Sequence, residues 1–453
     1  MFEMRNKLRK NRSTAVLVLS LLSVSGADPL SSLSLKAVLT EALANNPGYL
    51  AAHADRGYAE NAHSSAGLSG YLPTATASGG LTWSELDTRQ KTNTGAVTEN
   101  TAATSTGKSA GVNANWTLFE GFSAPLAQKR LRLERDQARA TESLAREELL
   151  RRTALAYADL LRQTNLRTTR DTLLRLSDER FRILQSRLAS GSAARPDWLE
   201  GQVDRNADRA ALLQQEAALY SARLTLAAAL GREAVVTEAA DTAALPAAPL
   251  DLTELKSNLQ DRQAALKLAE ADRDLASVAL YQAAAPWYPK LDATAGYNFA
   301  QANNDVGYTA EARSIGPRAG LQLTLNLFDG ELPWRVQGRG RLAVRSAELR
   351  LRAARFAAES EVERAYSAWV AVDSAATLER EGIGYARENL ELTFTRWKSG
   401  GLSYLEARNA QVKYLDAFNR TETARYEAFR ARLDVLLSAG RMEQLLDEVS
   451  ASR

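Results

Sequence analysis

The chain has 453 residues, 45% of them hydrophobic, and its 57 Lys and Arg against 54 Asp and Glu give a formal net charge of +3. This length leaves room for a large core or two to three domains. The sequence contains no cysteine, which excludes disulfides, thiolate metal sites, a cysteine nucleophile and a lipid anchor on an N-terminal cysteine.

Residues 1–27 have the layout of a secretory signal peptide. Basic residues concentrate in positions 5–12, an apolar run follows at 15–24, and small residues occupy 25–27. The run is too short to span a bilayer, and the alternative, an ordinary N-terminal helix, rarely separates charge from apolar residues in this way. Without residues 1–27 the chain has 52 Lys and Arg against 53 Asp and Glu, so its charge does not indicate nucleic acid binding.

Beyond residue 27, no stretch approaches the roughly 18 consecutive apolar residues of a membrane-spanning helix. Lipid accommodates only helices and closed barrels. The sequence therefore leaves two possibilities, a protein that is soluble outside the cytoplasm or one inserted as a β-barrel.

Two strands are predicted at about 74–86 and 108–118, where polar and apolar residues alternate strictly. Their length of about ten residues fits a tilted transmembrane strand. Trp83 and Trp116 lie on the apolar faces, where barrels carry aromatic belts. A polar loop at 87–109 is expected between the strands. A soluble β-sandwich would alternate in the same way.

A very long helix is predicted at about 124–190, because this range has no glycine and no proline after Pro125. At ~1.5 Å per residue it would reach roughly 100 Å. Its apolar residues form two adjacent heptad seams, which require a neighbouring helix on each side, as in a ring of helices. The seams are Leu166, Leu173, Leu176 and Ile183, and Leu174, Phe181, Leu184 and Leu188.

This helix ends in a predicted hairpin tip at Ser190 and Gly191. Gly191 suits the left-handed residue that caps a helix C-terminus, and Pro196 suits the first turn of the returning helix. At the start of the return, Asp197 and Glu200 lie one turn apart.

The second half of the chain repeats this plan at an offset of 209 positions. The segment "NWTLFEGF" at 115–122 matches "TLNLFDGE" at 324–331, and the tip glycines and Gly231 with Gly440 keep the same register. We therefore interpret 28–231 and 251–440 as two structural repeats, joined by 232–250 and followed by a tail at 441–453.

The second repeat supplies equivalent elements. Strands are predicted at about 290–302 and 316–328, with Tyr297 and Phe299 on the apolar face, and a second long helix at about 334–399. The residues of the second tip and the polar pair after it are Ser399, Gly400, Gly401, Glu406 and Asn409.

Two accounts fit the polar pairs that follow the tips. Carboxylates favour the first turn of a helix because they compensate its dipole. Alternatively, subunits that meet around an axis would gather them into a ring lining a constriction, where they would attract cations and raise one another's pKa. The sequence leaves both open.

Catalytic and metal chemistry are not indicated. His53 and His63 would point about 80° apart on a helix, and neither has a further ligand at suitable spacing. The segment "GRGRLA" at 338–343 resembles a dinucleotide-binding loop but lies inside a helix with no strand immediately before it. We expect no enzyme activity, no metal and no cofactor.

The duplicated halves, paired strands, coiled-coil helices and "LFxG" strand ends resemble the TolC family of outer-membrane efflux and secretion channels. The segments "ALANNP" at 42–47 and "YLP" at 71–73, and the Asp-x-x-Glu after the first tip glycine, add to the resemblance. It implies an α+β membrane protein in which three copies, with four strands each, form a 12-stranded β-barrel. A long periplasmic coiled-coil helical barrel would continue it.

The resemblance also implies functional positions and partners. The partners would be two further copies of the chain, a periplasmic adaptor (membrane fusion) protein, an inner-membrane transporter of RND or ABC type, and outer-membrane lipid. The residues implied are a periplasmic gate at Asp197, Glu200, Glu406 and Asn409, and adaptor contacts at Ser190, Gly191, Ser399, Gly400 and Gly401. Asn409 stands where other members have a carboxylate.

We therefore predict an outer-membrane exit duct of a Gram-negative bacterium that passively conducts substrates from an inner-membrane transporter. The alternative is a soluble periplasmic coiled-coil adaptor or scaffold, which would explain the signal and the helices but not four strands with lipid-like faces. The cargo stays open between drugs, other small molecules and secreted proteins.

Overall fold

The computed structural model describes residues 33–66, 69–239, 245, 248–306, 309–328, 330 and 332–451. The predicted signal peptide at 1–27 lies outside these residues. The first half contains α1 (Leu35–Asn45), α2 (Pro47–Ala66), β1 (Thr74–Lys91), β2 (Val97–Glu120), α3 (Ser123–Ala189) and α4 (Arg195–Leu230). The second contains α5 (Leu252–Lys256), α6 (Leu259–Arg262), α7 (Ala264–Gln282), β3 (Lys290–Asn304), β4 (Glu311–Thr324), α8 (Leu332–Lys398), α9 (Tyr404–Ser438) and α10 (Glu443–Ala451).

The internal duplication is confirmed by the order of these elements. Each half runs from short helices through two strands into one very long helix and a shorter return. The long helices α3 and α8 have 67 residues each, and the returns α4 and α9 have 36 and 35. At ~1.5 Å per residue, each long helix extends about 100 Å. No helix within the described ranges combines the length and apolarity that a membrane crossing requires.

The four strands form one antiparallel sheet in the order β1-β2-β3-β4. Its centre joins the two repeats, because β2 pairs with β3 over Ser105–Glu120 and Lys290–Asn304. The edges are β1 and β4, which each pair on one side only within the described chain.

The limits of two predicted strands, β2 and β4, were wrong, and β1 extends to Lys91 rather than ending near 86. β2 begins at Val97 rather than near 108, so most of the expected polar loop is strand. Its Thr residues favour extended backbone, and the chain reverses in a tight turn where Gly95 adopts φ +89° and Thr92 N–H donates to Ala96 O at 2.9 Å. β4 covers Glu311–Thr324 rather than 316–328, because β3 begins at Lys290 and offers no partner beyond Thr324.

The sheet carries an apolar face that no other part of the described chain covers. Leu81 is 81% exposed and Leu321 is 74% exposed. The register places all four predicted belt aromatics on this face, with Trp116 and Trp83 toward opposite ends of the strands and Tyr297 and Phe299 between them. A sandwich would bury this face in its own core, so the soluble sandwich alternative is not what the chain forms.

The hydrophobic core lies midway along the long helices, at a level we call the equatorial belt. There α1, α3, α4, α9 and α10 bury Leu39, Leu150, Leu226, Leu433 and Leu445 completely. Each such leucine contributes about 1.5–3 kcal/mol through removal from water. The belt therefore holds the two repeats together.

Toward the tips, α3 packs against α4 on one side and α9 on the other. Two residues from its predicted seams show the contact with the second hairpin. Leu173 is buried with Leu390 and Ala410, and Leu184 is buried with Trp397 and Tyr404. The expectation that α3 needs a neighbour on each side is confirmed.

Candidate gate at the hairpin tips

Both hairpin tips are built by the glycine cap that the sequence predicts. Gly191 has φ +75° and Gly400 has φ +83°, a conformation that other residues adopt only with strain. After each glycine the next N–H closes a wider turn, from Ser192 to Arg187 O at 2.8 Å and from Gly401 to Arg396 O at 2.9 Å. The glycine N–H groups themselves donate to Leu188 O and Trp397 O. The same pair of hydrogen bonds therefore ends both long helices.

The two tips lie side by side in one copy of the chain. The Arg187 guanidinium donates from Nη2 to the carbonyl oxygens of Trp397 at 3.0 Å and Lys398 at 2.9 Å. It also stacks over the Trp397 ring at 5.0 Å from its centroid. The predicted adaptor-contact residues are all exposed at this end: Ser190, Gly191, Ser399, Gly400 and Gly401.

Glu406 forms a capping box with Ser403 at the start of α9. Its carboxylate accepts hydrogen bonds from the Ser403 N–H at 2.8 Å and the Ser403 hydroxyl at 2.7 Å, while Ser403 Oγ accepts from the Glu406 N–H. The Ser403 backbone and side-chain bonds hold the pKa of Glu406 below its ordinary value. For this residue, the helix-terminus account is therefore observed in the single chain.

The other predicted gate residues have no capping partner of this kind. Asp197 is half-buried in the first turn of α4, and Glu200 and Asn409 are exposed. Within the described chain, none of the three side chains makes a hydrogen bond or an ion pair. They remain available to whatever faces them in an assembly.

A polar network that the sequence analysis missed joins α4, two to three turns beyond Asp197, to the first two turns of α9. The Arg408 guanidinium donates to both carboxylate oxygens of Asp208, at 2.7 and 3.0 Å. The Tyr404 hydroxyl donates to Asp204 Oδ2 at 2.6 Å, and Arg408 Nε lies 3.3 Å from the same oxygen. These four residues join the first hairpin to the second.

Side chains from α3 and α9 extend this network into a buried layer. The Ser177 hydroxyl donates to Asp208 Oδ2 at 2.5 Å, and Gln411 Nε2 donates to Ser177 Oγ at 3.1 Å. Arg180, only 1% exposed, donates to Ser177 Oγ at 2.9 Å and sits over the Tyr404 ring. The layer thus links α3, α4 and α9 just above the tips.

Burial sets the electrostatics of the network. It lowers the pKa of Arg180, and together with the Asp204 bond it raises the pKa of Tyr404. Burial would also lower the pKa of Arg408, but the hydrogen bonds and attraction of Asp208 outweigh it and the pKa is raised. The Arg408–Asp208 pair is half-buried, so removing one partner should cost less than the about 3–5 kcal/mol of a fully buried pair, but the network still ties the two hairpins together.

The network had a weak signal in the sequence. Asp204 and Asp208 are four residues apart on α4, and Tyr404 and Arg408 are four residues apart on α9, so each pair shares a helix face. Only the fold shows that the two faces meet.

One family of known sequences matches the chain. A sequence profile of the family described as "Outer membrane efflux protein" matches residues 38–232 and 255–441. The two matched segments correspond to the two structural repeats. Among curated protein sequences, none matches this chain.

Several solved structures share the fold. The outer membrane protein VceC of Vibrio cholerae superimposes with a TM-score of 0.70 at 19% identity, over 90% of this chain and 96% of VceC. A membrane protein from Pseudomonas aeruginosa does so with a TM-score of 0.72 at 17% identity, over 89% and 93% of the two chains. The open state of the Neisseria gonorrhoeae outer membrane channel MtrE gives 0.67 at 17%, over 90% and 88%.

Proposed function

Since this chain belongs to the outer membrane efflux protein family and is an outer-membrane exit duct, we propose that it passively receives substrates from an inner-membrane transporter of RND or ABC type. A periplasmic adaptor would join the two, making the system tripartite. The family is one of transport conduits and not of enzymes. The passive role leaves substrate choice to the transporter.

The sheet edges support assembly of several copies around one axis. β1 and β4 each present one unpaired edge, and such edges are satisfied by pairing with another chain. Joining β4 of one copy to β1 of the next closes a barrel. Four strands are too few for this, since transmembrane barrels begin at about eight strands. Three copies would supply twelve strands, as the resemblance implies.

Two exposed apolar stripes on the helices fit the same assembly. Their residues recur mainly at heptad spacing, with one eight-residue step between Val370 and Leu378, which is the pattern of a helix that packs against a neighbour. On α4 the stripe consists of Leu199, Val203, Leu213, Tyr220 and Leu224. On α8 it consists of Leu342, Leu349, Phe356, Val370, Leu378, Tyr385 and Leu392. If α8 of one copy packed on α4 of the next, both stripes would be covered. This arrangement is compatible with the pairing of β4 in one copy with β1 in the next.

We place the closed end of the duct at the hairpin tips. Asp197, Glu200, Glu406 and Asn409 would line the constriction when copies meet around the axis. The observation that carries this proposal is the bidentate Arg408–Asp208 pair, because it fixes the two hairpins of one copy together. Opening would then require the first hairpin to move away from the second.

The test is single-channel conductance in planar bilayers. Arg408→Gln should raise the conductance, because it leaves Asp208 without its partner and loosens the hairpins. The matched control is Arg205→Gln. Arg205 pairs with Asp178 at 2.5 Å, but both residues belong to the first hairpin, so its loss should leave conductance near wild type. Equal conductance of all three proteins would refute the closed-tip proposal.

The lining residues need a separate measurement. The combined change of Asp197, Glu200 and Glu406 to alanine should reduce cation preference, because it removes the charges that attract cations. Ion selectivity is read from the reversal potential in a salt gradient. An unchanged reversal potential would remove these residues from the constriction.

The adaptor contacts can be mapped by cross-linking, because the chain has no native cysteine. Ser399→Cys at the tip should cross-link to a co-expressed adaptor, and Ser450→Cys, exposed on α10, should not. A soluble adaptor or scaffold, the alternative function, would fractionate without detergent and show no heat-modifiable oligomer.

A further inference from the structure

A cavity of about 550 Å³ lies in the equatorial belt, among α3, α7, α8 and α9. Small side chains create the space, and its apolar wall consists of Leu144, Ala265, Ala365, Ala368, Ala431 and Leu437. Sites for small organic molecules have volumes of about 300–1,000 Å³ and largely apolar walls. The cavity therefore has the size and lining of such a site.

One carboxylate on the wall lacks a partner. Glu147 on α3 is only 8% exposed, and it makes no hydrogen bond or ion pair with any residue that the structure describes. Its oxygens still reach the solvent of the cavity, but a carboxylate so largely withdrawn from water without a partner is disfavoured in its charged form. The charge that would offset this cost is a cation placed in the cavity.

The other carboxylates around the cavity are already paired. Glu148 contacts Arg151 at 2.9 Å, and Asp434 contacts the same arginine at 3.2 Å. Glu361 pairs with Arg364 on α8. Glu147 is the one wall carboxylate without a direct ion pair in the described chain, and because Arg151 is shared by two carboxylates the wall as a whole is negatively charged.

We propose that this cavity binds an organic monocation, an ammonium group carried on an apolar body. The ammonium would lie against Glu147, and the apolar body would fill the space between the alanines. A divalent metal is a poor fit, because one free carboxylate supplies too few ligands and the described chain holds no group of three metal-ligating side chains. The site lies at the belt, far from the tips, and is independent of the gate.

The protonation of Glu147 follows from the same geometry. Burial, with the Glu443 carboxylate adding to it, raises the pKa of Glu147 to about 7. The charged groups that surround Glu147 are Arg146 and Glu148 on α3, Lys267 on α7, Glu361 and Arg364 on α8, Asp434 on α9 and Glu443 on α10. A cation and a proton therefore compete for the same carboxylate near neutral pH.

Ethidium is a suitable probe, because it is a permanent monocation with an apolar body and its fluorescence rises when it leaves water. We expect the detergent-solubilised, full-length protein to bind ethidium saturably. Glu147→Gln should weaken binding by tenfold or more. The control Glu391→Gln, which removes an exposed carboxylate that pairs with Arg387 on α8 away from the cavity, should leave binding unchanged.

Two further readouts separate this site from nonspecific adsorption. Ala368→Leu should also weaken binding, because it fills the cavity without changing its charge. Between pH 6 and pH 8 the wild-type affinity should rise about tenfold as Glu147 ionises, whereas the affinity of Glu147→Gln should stay flat. Absent binding, or equal binding by wild type and Glu147→Gln, would overturn the proposal whatever the conductance measurements show.

Discussion

The stability of the protein should depend on pH through Glu147. The pKa of this carboxyl is raised from 4.5 to about 7 in the folded chain, so the folded state binds the proton more tightly than the unfolded state does. The stabilisation by the proton is complete below pH 4.5 and is lost as the pH rises through 7. A difference of 2.5 pKa units at ~1.4 kcal/mol each corresponds to about 3 kcal/mol.

The perturbation is Glu147→Gln, which keeps the shape of the side chain and removes its titration. We expect wild type and variant to have similar thermal stability at pH 5. At pH 8.5 the variant should be more stable by up to about 3 kcal/mol, a Tm difference of a few degrees. The assay is thermal unfolding followed by circular dichroism at 222 nm, in one detergent, across this pH range.

The difference in Tm between wild type and Glu147→Gln should widen as the pH rises. Glu391→Gln is the control, since an exposed carboxylate paired with Arg387 should give a gap that stays small at every pH. A constant difference between wild type and Glu147→Gln from pH 5 to pH 8.5 would show that the carboxyl does not titrate near 7, and would refute the linkage.

Three other predictions follow from the packing. Gly440→Ala should lower the Tm, because Gly440 has φ +64° and an added Cβ would lie 2.9 Å from the Arg262 carbonyl. The control is Gly57→Ala in α2, where an added Cβ meets no atom within 4 Å. It should raise stability by about 0.5–1 kcal/mol. Trp397→Ala should cost about 3–5 kcal/mol, because the side chain is 1% exposed, and limited trypsin digestion should then cut first at the tips. Leu213→Glu should dissociate the assembly in light scattering, since a charge would fall on the α4 stripe.

The features that could be predicted from the sequence are periodic or local ones. The alternation in β3 and the heptads of α3 reflect elements with one apolar side and one polar side. Gly191 and Gly400 reflect the positive φ that each helix end requires. The repeat was visible because two halves under the same constraints keep their register. The start of β2 could not be predicted, because threonine-rich segments suit both a polar loop and a strand that faces water.

The tip network and the belt cavity could not be predicted for a different reason. Asp208 and Arg408 are 200 positions apart, and nothing local indicates that they meet. Glu147 stands in the sequence "REE", which reads as a solvated helix surface. Its isolation arises only when α7, α8 and α9 close around α3, so the fold creates it.

The exposed sheet edges have a consequence for how the duct is made. A lone copy exposes an apolar sheet face and two unpaired strand edges, and such edges can pair wrongly with those of another copy. Under the proposed assembly, insertion and oligomer formation would proceed as one event, whose rate depends on how often copies encounter each other. We expect the yield of inserted channel to fall more steeply than linearly when synthesis is slowed, which a titration of expression level against heat-modifiable oligomer would measure.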